Sequence, residues 1–404
     1  MFPLDGMKVL DLTRVMAGPY CTMILGDLGA DVIKIEREKT GDDTRSMGPF
    51  VNGESACFMM INRNKKSMTL DLKSEKGKNI FLELAKKADV IVENFRPGVV
   101  KKLGIDYETV KALNEGIIYC SISGYGQTGP YSNKGGYDIM AQGMSGLMSM
   151  TGEPNGHPVK VGISINDISA GVTAVYSIMA AFIQKLKSSR GQFIDVSLVE
   201  SGLAWSVWES AGYFGEGIVP NRTGSRHRVS APYQAYRTKG GYVLIGGANQ
   251  RSWEKFCQKV VNRPEWIDDP KYKTPKDRIE NVDDLERCIE EVLVKKTTQY
   301  WVDRLDDAGV PGGPIYTYDE TLNDPHILER GMVQEFDHPV AGKLKTLGIP
   351  SKLSETPGKI RKPAPLLGQH TEEILREELL LSEEDIQQLL EENIISKEPL
   401  SIQK

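Results

Sequence analysis

One acid in this chain stands where a carboxylate can react. Asp167 opens a long apolar segment, and the stretch behind it, residues 169–186, is mostly Ala, Val, Ile, Met and Phe. A helix that is apolar nearly all the way round belongs in an interior. Lys185, Lys187 and Arg190 gather at its far end, where cations suit the helix dipole, and Gly191 reads as the stop. At the near end, free backbone N–H groups and the positive end of the dipole favour an ionised Asp167. Two roles fit this position. Asp167 is an ordinary N-cap, for which Asp is a preferred residue, or it is a nucleophile that apolar neighbours desolvate and the helix end keeps charged. Spacing leaves both open.

The elements that must position such a residue are legible upstream. Residues 8–12 (KVLDL) read as a buried strand, followed by Ala17-Gly18-Pro19, a helix through Leu28, and a second strand at residues 31–35 (DVIKI). Strand, helix and strand in so short a span is the rhythm of a parallel α/β sheet. The rhythm recurs with a strand at residues 67–70, an amphipathic helix at 74–88 and a strand at 90–92. A short helix near 107–113 then leads to a central strand at 117–123 (IIYCSIS). Residues 1 to about 125 are therefore predicted to be doubly wound, with ligands gathered where the strand C-terminal ends open into loops.

One of those loops, Ser123 to Pro130, contains a formal G-x-G-x-x-G at Gly124, Gly126 and Gly129. A dinucleotide fingerprint opens a helix at once and sits in the first βαβ unit. Here Pro130, Gly135 and Gly136 keep the chain in a loop, and the unit comes late, so neither nicotinamide nor flavin is expected. Beyond residue 200 the rhythm stops. Trp205, Trp208 and Tyr213 lie in a helical stretch, a turn-rich segment follows, and residues 241–246 (GYVLIG) read as a strand among amphipathic helices at 253–261 and 282–295. The expected organisation is a large α/β domain at 1–200, a linker at 201–224, a small α+β domain at 225–325, and a C-terminal segment at 326–404 that returns to the large domain. The acids from Glu372 to Glu392 are expected to coat the solvated faces of two tail helices and do nothing more.

Composition excludes several classes. Acids outnumber bases by 55 to 50, for a formal charge of -5, so no basic field points to nucleic acid. The five cysteines (Cys21, Cys57, Cys120, Cys257, Cys288) lack a CxxC pair, and the five histidines are scattered, so no metal site is expected. No uninterrupted apolar run reaches the length of a membrane span. The N-terminal residues enter a strand almost immediately, with no visible signal peptide, and a cytoplasmic location is expected. A G-x-S-x-G elbow is absent, and His157 reads as a turn residue rather than a triad member.

With these loops in view, the chain resembles the family III CoA-transferases, the formyl-CoA and carnitine CoA-transferase group that includes the 2-methylacyl-CoA racemases. The resemblance runs end to end through PLDGMKVLDLTRVMAGP, GDLGADVIKIER, GDDTR at 41–45, NRNKKS at 62–67, VENFRPG, SGYGQTGP, GYD at 136–138, the Asp167 region, PYQAY, GVPGGPI and PLLGQHT. It implies that Asp167 is the nucleophile, forming an aspartyl anhydride and then an aspartyl-CoA thioester. Coenzyme A is implied as co-substrate, with no metal. By matched position the resemblance implies CoA contacts at Met16, Ala17, Arg37, Leu70, Asp71, Leu72, Lys73, Asn94, Phe95, Arg96, Lys102, Gly135, Gly136, Tyr137 and Asp138. Arg37, Lys73, Arg96 and Lys102 lie just past strand ends, suitable for phosphates.

Met16 stands where formyl-CoA transferase has a catalytic Gln, and Asp138 where it has the partner Glu, so Met16, Asp138 and Asp167 are the implied catalytic set. A glycine-rich flap of that enzyme is missing from the 220–260 region. These departures point away from formate–oxalate exchange. Within the family the look is that of the succinyl-CoA:glutarate type, which implies dicarboxylate acids. A distal carboxylate needs a cation, for which Arg45, Arg222, Arg226 and His227 are candidates. The family also implies an interlocked homodimer of ring-like chains, with the active site between one subunit's large domain and the other's small one. Two other readings compete. A racemase places His where this chain has Tyr137, and unperturbed Tyr, with a pKa of about 10, is a poor base near neutral pH. A non-catalytic acyl-CoA binding protein has no use for a carboxylate beside the thioester.

Overall fold

The computed structural model describes residues 1–247 and 249–396. The five strands expected from the N-terminal rhythm, and a sixth that the sequence reading did not name, form one parallel sheet: β1 (Lys8–Asp11), β2 (Asp31–Glu36), β3 (Lys65–Thr69), β4 (Val90–Glu93), β5 (Ile118–Ser123) and, unread, β6 (Phe193–Ser197). Their spatial order is β3-β2-β1-β4-β5-β6. Chain progression therefore reverses between β1 and β4, and the loops leaving those two strands diverge over a crevice. The doubly wound α/β expectation holds.

The period of two along each strand sorts the side chains into two cores. Val9, Val32, Val90, Val92, Ile118 and Cys120 point to one. Leu10, Ile33, Ile91 and Tyr119 point to the other. Strands buried on both faces need helices on both faces. Four helices of this unit matter below: α1 (Ala17–Asp27), α2 (Glu75–Lys87), α3 (Asp138–Met144) and α4 (Ile165–Ser188). Residues of α1 and α4 close the first core, and residues of α2 close the second.

The long apolar helix differs from the sequence reading in two ways. It ends at Ser189, which takes the left-handed conformation (φ 58), and not at Gly191. Gly191 instead permits a close approach, since a Cβ there would lie 1.9 Å from the Ile117 carbonyl oxygen. Nor is the helix interior all round. Ala170, Ala174, Ile178 and Ala181 are buried, whereas Val172, Tyr176, Ile183 and Leu186 are exposed, Leu186 to 72%. By length and composition α4 is apolar enough to cross a membrane, a test that core helices of soluble proteins also pass.

The C-terminal segment closes the second core. After α5 (Val207–Glu216), the tail carries α6 (Thr371–Leu379) and α7 (Glu383–Glu391), which bring Ile374, Leu375, Ile386 and Leu389 onto the α2 side of the sheet. The segment before α6 covers the β3 edge: Gly368 donates to Ser67 Oγ at 2.9 Å and Thr69 donates to Thr371 Oγ1 at 3.1 Å. An uncovered edge strand is a liability, so this docking protects the sheet. Three tail acids do more than coat a wet face. Glu373, Glu378 and Glu392 pair with Lys66, Lys8 and Lys76 at 3.1, 2.7 and 2.6 Å.

The chain divides into two compact units, the first comprising Met1–Leu147, Lys160–Phe214 and His326–Lys404, the second Met148–Val159 and Gly215–Pro325. The second unit holds an antiparallel sheet of three strands in which Gly241–Gly246 lies between Tyr233–Thr238 and Gly312–Pro314. Its own core gathers Trp253, Phe256, Leu285, Ile289 and Leu305.

Candidate active site

A cavity of about 830 Å³ lies above the C-terminal strand ends, wholly within the first unit. Each part of its wall follows a strand. Arg14 to Ala17 follow β1, Arg37 to Thr40 with Asp43 follow β2, and Leu70 to Lys73 follow β3. Asn94 to Pro97 follow β4, Gly124 follows β5 and Leu198 follows β6. Asn94 laces together the two loops at the point of reversal: its Oδ1 accepts from Arg14 N and its Nδ2 donates to Arg14 O, both at 2.8 Å. Val15, beside that lacing, holds φ 66, a left-handed conformation unfavourable for a β-branched residue. Its N–H donates to Asp42 Oδ1 at 3.1 Å, which helps to hold it there.

The glycine-rich loop after β5 opens no helix, as expected, and folds back on itself. A Cβ on Gly136 would lie 2.8 Å from Gly124 Cα, so only bare backbone fits at that crossing. The crossing returns Gly135, Gly136 and Tyr137 to the cavity wall and delivers the chain into α3 at Asp138.

Asp167 lines this cavity from the start of α4. It does not cap the helix. Ser164 is the N-cap, without a side-chain cap bond, and Asp167 is the third helical residue. The free N–H groups are taken by another carboxylate: Asp138 Oδ1 accepts from Asn166 N at 2.9 Å and from Asp167 N at 3.4 Å. Gln142 holds Asp138 in place, donating from Nε2 to its Oδ2 at 2.6 Å. Asp167 is left with burial and a neighbour of like charge, and these raise its pKa to about 7. The sequence reading had the sign reversed, because it gave the dipole to Asp167 when Asp138 answers it.

Beneath the loops lies a layer of buried charge. Lys65 Nζ pairs with Asp11 Oδ2 and Lys34 Nζ with Asp42 Oδ2, each at 2.9 Å and with no side-chain exposure. Burial pushes Asp11 up, but Lys34 and Lys65 overcome it and hold its pKa below the usual range. Burial lowers Lys65 to about 8. Lys34 also donates to Thr13 O at 2.7 Å, which ties the β1 loop to this layer. Removing one partner of such a pair strands a buried charge, at a cost of about 3–5 kcal/mol. The pairs therefore tie β1 to β3 and β2 to the segment at Asp42.

Of the residues implied by resemblance, Met16, Ala17, Arg37, Leu70 to Lys73, Asn94 to Arg96, Gly135 to Tyr137 and Asp167 line the cavity together. Asp138 stands behind Asp167 rather than on the wall, and Lys102 is exposed and outside the lining. Among the cations considered for a distal carboxylate, Arg45 is already committed. Its guanidinium grips Glu36 through two contacts of 2.7 Å and lies 3.6 Å from the centre of the Phe58 ring. Arg226 is bound to Asp283 and Glu286 in the second unit. Arg222 donates to Ser149 O at 3.3 Å, and His227 packs edge-on to Tyr233, also within that unit. Sequence reasoning missed Arg14 and Asp43 as wall residues. Both sat inside motifs already singled out, and their position just past β1 and β2 was the available signal.

The family described as CoA-transferase family III matches residues 4–371. The chain is 43% identical over 398 residues to succinyl-CoA:glutarate CoA-transferase of Mus musculus, covering 98% of this chain and 91% of that protein. It is 36% identical over 382 residues to succinate–glutarate CoA-transferase of Agrobacterium fabrum, covering 93% and 95% respectively. A crystal structure of a CAIB/BAIF family protein from Brucella suis superposes with a TM-score of 0.83 at 37% identity, covering 93% of this chain and 99% of that one.

Proposed function

This chain belongs to CoA-transferase family III, and from that premise we propose that it moves CoA from an acyl-CoA thioester to a small dicarboxylic acid, with Asp167 as the group that carries the acyl. What supports the acid class is the pair of relatives named for succinyl and glutarate transfer. What carries the role of Asp167 is one observation: it is a desolvated carboxylate, with a pKa near 7, on the wall shared by the strand-end loops.

In this reading an Asp167 oxygen attacks the thioester carbonyl, the C–S bond breaks, and CoA leaves as thiolate from a mixed anhydride. The thiolate attacks the aspartyl carbonyl of that anhydride, releasing the donor acid and leaving CoA on Asp167 as a thioester. The acceptor carboxylate then attacks the aspartyl thioester, forming a new anhydride and freeing thiolate. Attack of thiolate on the acceptor acyl carbon yields the new acyl-CoA and restores Asp167. Bonds made and broken balance, so no ATP is consumed. A carboxylate stripped of water is a stronger nucleophile than a solvated one, and its raised pKa is the measure of that stripping. Each tetrahedral step passes through an oxyanion, which backbone N–H groups of the cavity wall can stabilise.

The protein works as a homodimer in this reading. The support is apolar: Trp208 and Phe214 of α5 are each 84% exposed, and α4 carries an exposed apolar stripe of its own. Incubation with succinyl-CoA and glutarate, followed by mass spectrometry of the Asp167 peptide, tests the chemistry. A CoA adduct at Asp167, and turnover at least about a thousandfold lower in Asp167→Asn, are expected. An adduct elsewhere, or an amide variant that turns over normally, sinks the mechanism. Reaction only with branched or aromatic acids sinks the substrate class alone.

A further inference from the structure

The residues of the segment 41–45 point two ways, and one of them is left unused by the chemistry above. Gly41 (φ +63) is packed so closely that a Cβ would meet Arg45 Cδ at 2.7 Å and Glu36 Oε2 at 2.8 Å. Asp42 is fully enclosed, accepting from Thr44 N at 2.9 Å and pairing with Lys34. Arg45 is locked to Glu36. Only Asp43 faces the cavity. Its side chain is 46% exposed and pairs with Arg37 Nη2, which is 42% exposed, while Arg37 Nε donates to Gly41 O at 3.2 Å.

Arg14 stands on the same wall. Its guanidinium lies 4.9 Å from the centre of the Phe95 ring, and among the described residues no carboxylate comes within ion-pair distance of it. Burial lowers its pKa, the charge of Arg37 lowers it further, and Asp43 and Asp42 oppose the shift. Two guanidinium groups that repel one another, and one half-exposed carboxylate held by a rigid turn, therefore face the same ligand space.

Resting on the CoA reading of this cavity, we propose that Asp43 holds on Arg37 the place of a CoA phosphate, and that binding exchanges one anion for the other, with Arg14 joining the new pair. A carboxylate has two oxygens and here serves one guanidinium. A 3′-phosphate offers three acceptor oxygens and up to two charges, and a pyrophosphate offers four non-bridging oxygens and two charges, so either is enough for both arginines. Asp43 is easily displaced, because a half-exposed ion pair contributes only about 0–1 kcal/mol and the rest of its turn is fastened through Gly41, Asp42 and Arg45. Until then it keeps Arg37 aligned and sets a threshold that a single carboxylate group lacks the charge to cross. Asp43 thus acts as a specificity residue for a phosphorylated carrier.

Equilibrium binding of CoA and of 3′-dephospho-CoA to the full-length protein tests this. Asp43→Asn keeps the size and removes the charge, and it is expected to bind CoA about two- to fivefold more tightly than wild type. Asp43→Ala should show the same gain, and Arg14→Gln should bind CoA about tenfold more weakly. A gain that disappears with 3′-dephospho-CoA assigns the subsite to the 3′-phosphate, whereas a gain that persists assigns it to the pyrophosphate. Unchanged or weaker CoA binding in both Asp43 variants overturns the proposal, since a merely structural Asp43 leaves Arg37 misaligned when removed. Wild-type protein that binds no CoA overturns the transferase reading together with it, so the two failures are told apart.

Discussion

Asp138 and Asp167 are two carboxylates at one helix start, and the backbone gives them different work. Asp138 receives the N–H groups of Asn166 and Asp167, while Asp167 has the cavity before it and Asp138 behind it. With the Asp167 pKa near 7, and the ionised form the nucleophile, kcat/KM is expected to fall as pH drops through about 7. Replacing Asp138 by Asn keeps an acceptor for the helix N–H groups and removes the like charge. The acidic limb of the profile should then move to lower pH. A limb that stays at its wild-type position shows that burial alone raises Asp167. The mistaken sign in the sequence reading has a plain cause: Asp138 lies far away along the chain, in a triplet that carries no mark of where its side chain goes.

At the scale of elements, α4 has two faces of similar composition and different fate. Ala170, Ala174 and Ile178 recur every fourth residue and enter the core, and Val172, Tyr176 and Ile183 form a parallel stripe that stays exposed. Apolar residues concentrated on one exposed face mark an association surface more often than an accident. If copies of the chain meet over this stripe, Tyr176→Glu combined with Leu186→Glu should weaken self-association at least about tenfold, as sedimentation equilibrium would measure. Wild-type protein that sediments as a monomer at every concentration removes the dimer. The βαβ rhythm made the sheet legible strand by strand, because buried parallel strands need unbroken apolar runs and short connections. The β6 strand and the interval between β5 and α4 were harder to read. Gln142, Gly136 and Asp138 hold that interval through contacts to Val161, Gly124 and Asn166 respectively, which lie elsewhere in the chain.

Across the whole molecule, buried acids of opposite tendency set the response to pH. Burial raises Glu93 and Asp167 to about 7. Groups with raised folded-state pKa contribute stability that is complete below the unfolded carboxylate range and is lost as pH rises through 7. Asp11, Asp42 and Glu36 are held low by lysine and arginine neighbours that outweigh burial, so their contribution is present above about pH 4 and is lost as pH falls further. Stability is therefore expected to peak at about pH 4 to 4.5 and to decline from there to about pH 7, by ~1 kcal/mol per pH unit for each raised acid. Thermal unfolding of wild type against Glu93→Gln with Asp167→Asn checks this. The double variant should melt higher than wild type at pH 8 and close to it at about pH 4. Equal melting temperatures at both values remove the claim that these two acids are ionised at a cost.

What the amino-acid order determined by itself was local and repetitive. Alternating and continuous apolar runs gave the parallel sheet, and glycines with Pro130 ruled out a dinucleotide turn. The strand-end loops, read with the family resemblance, marked most of the cavity wall. The tertiary structure alone decided which charges were free. Arg45 was a candidate for substrate until packing committed it to Glu36 and Phe58, and Arg14 was overlooked until packing left it against the Phe95 ring with no ion pair among the described residues. Periodicity follows from the geometry of a single strand or helix and is therefore written along the chain. The ionisation and availability of a side chain depend on what distant segments bring within a few ångströms, and only the folded molecule sets that.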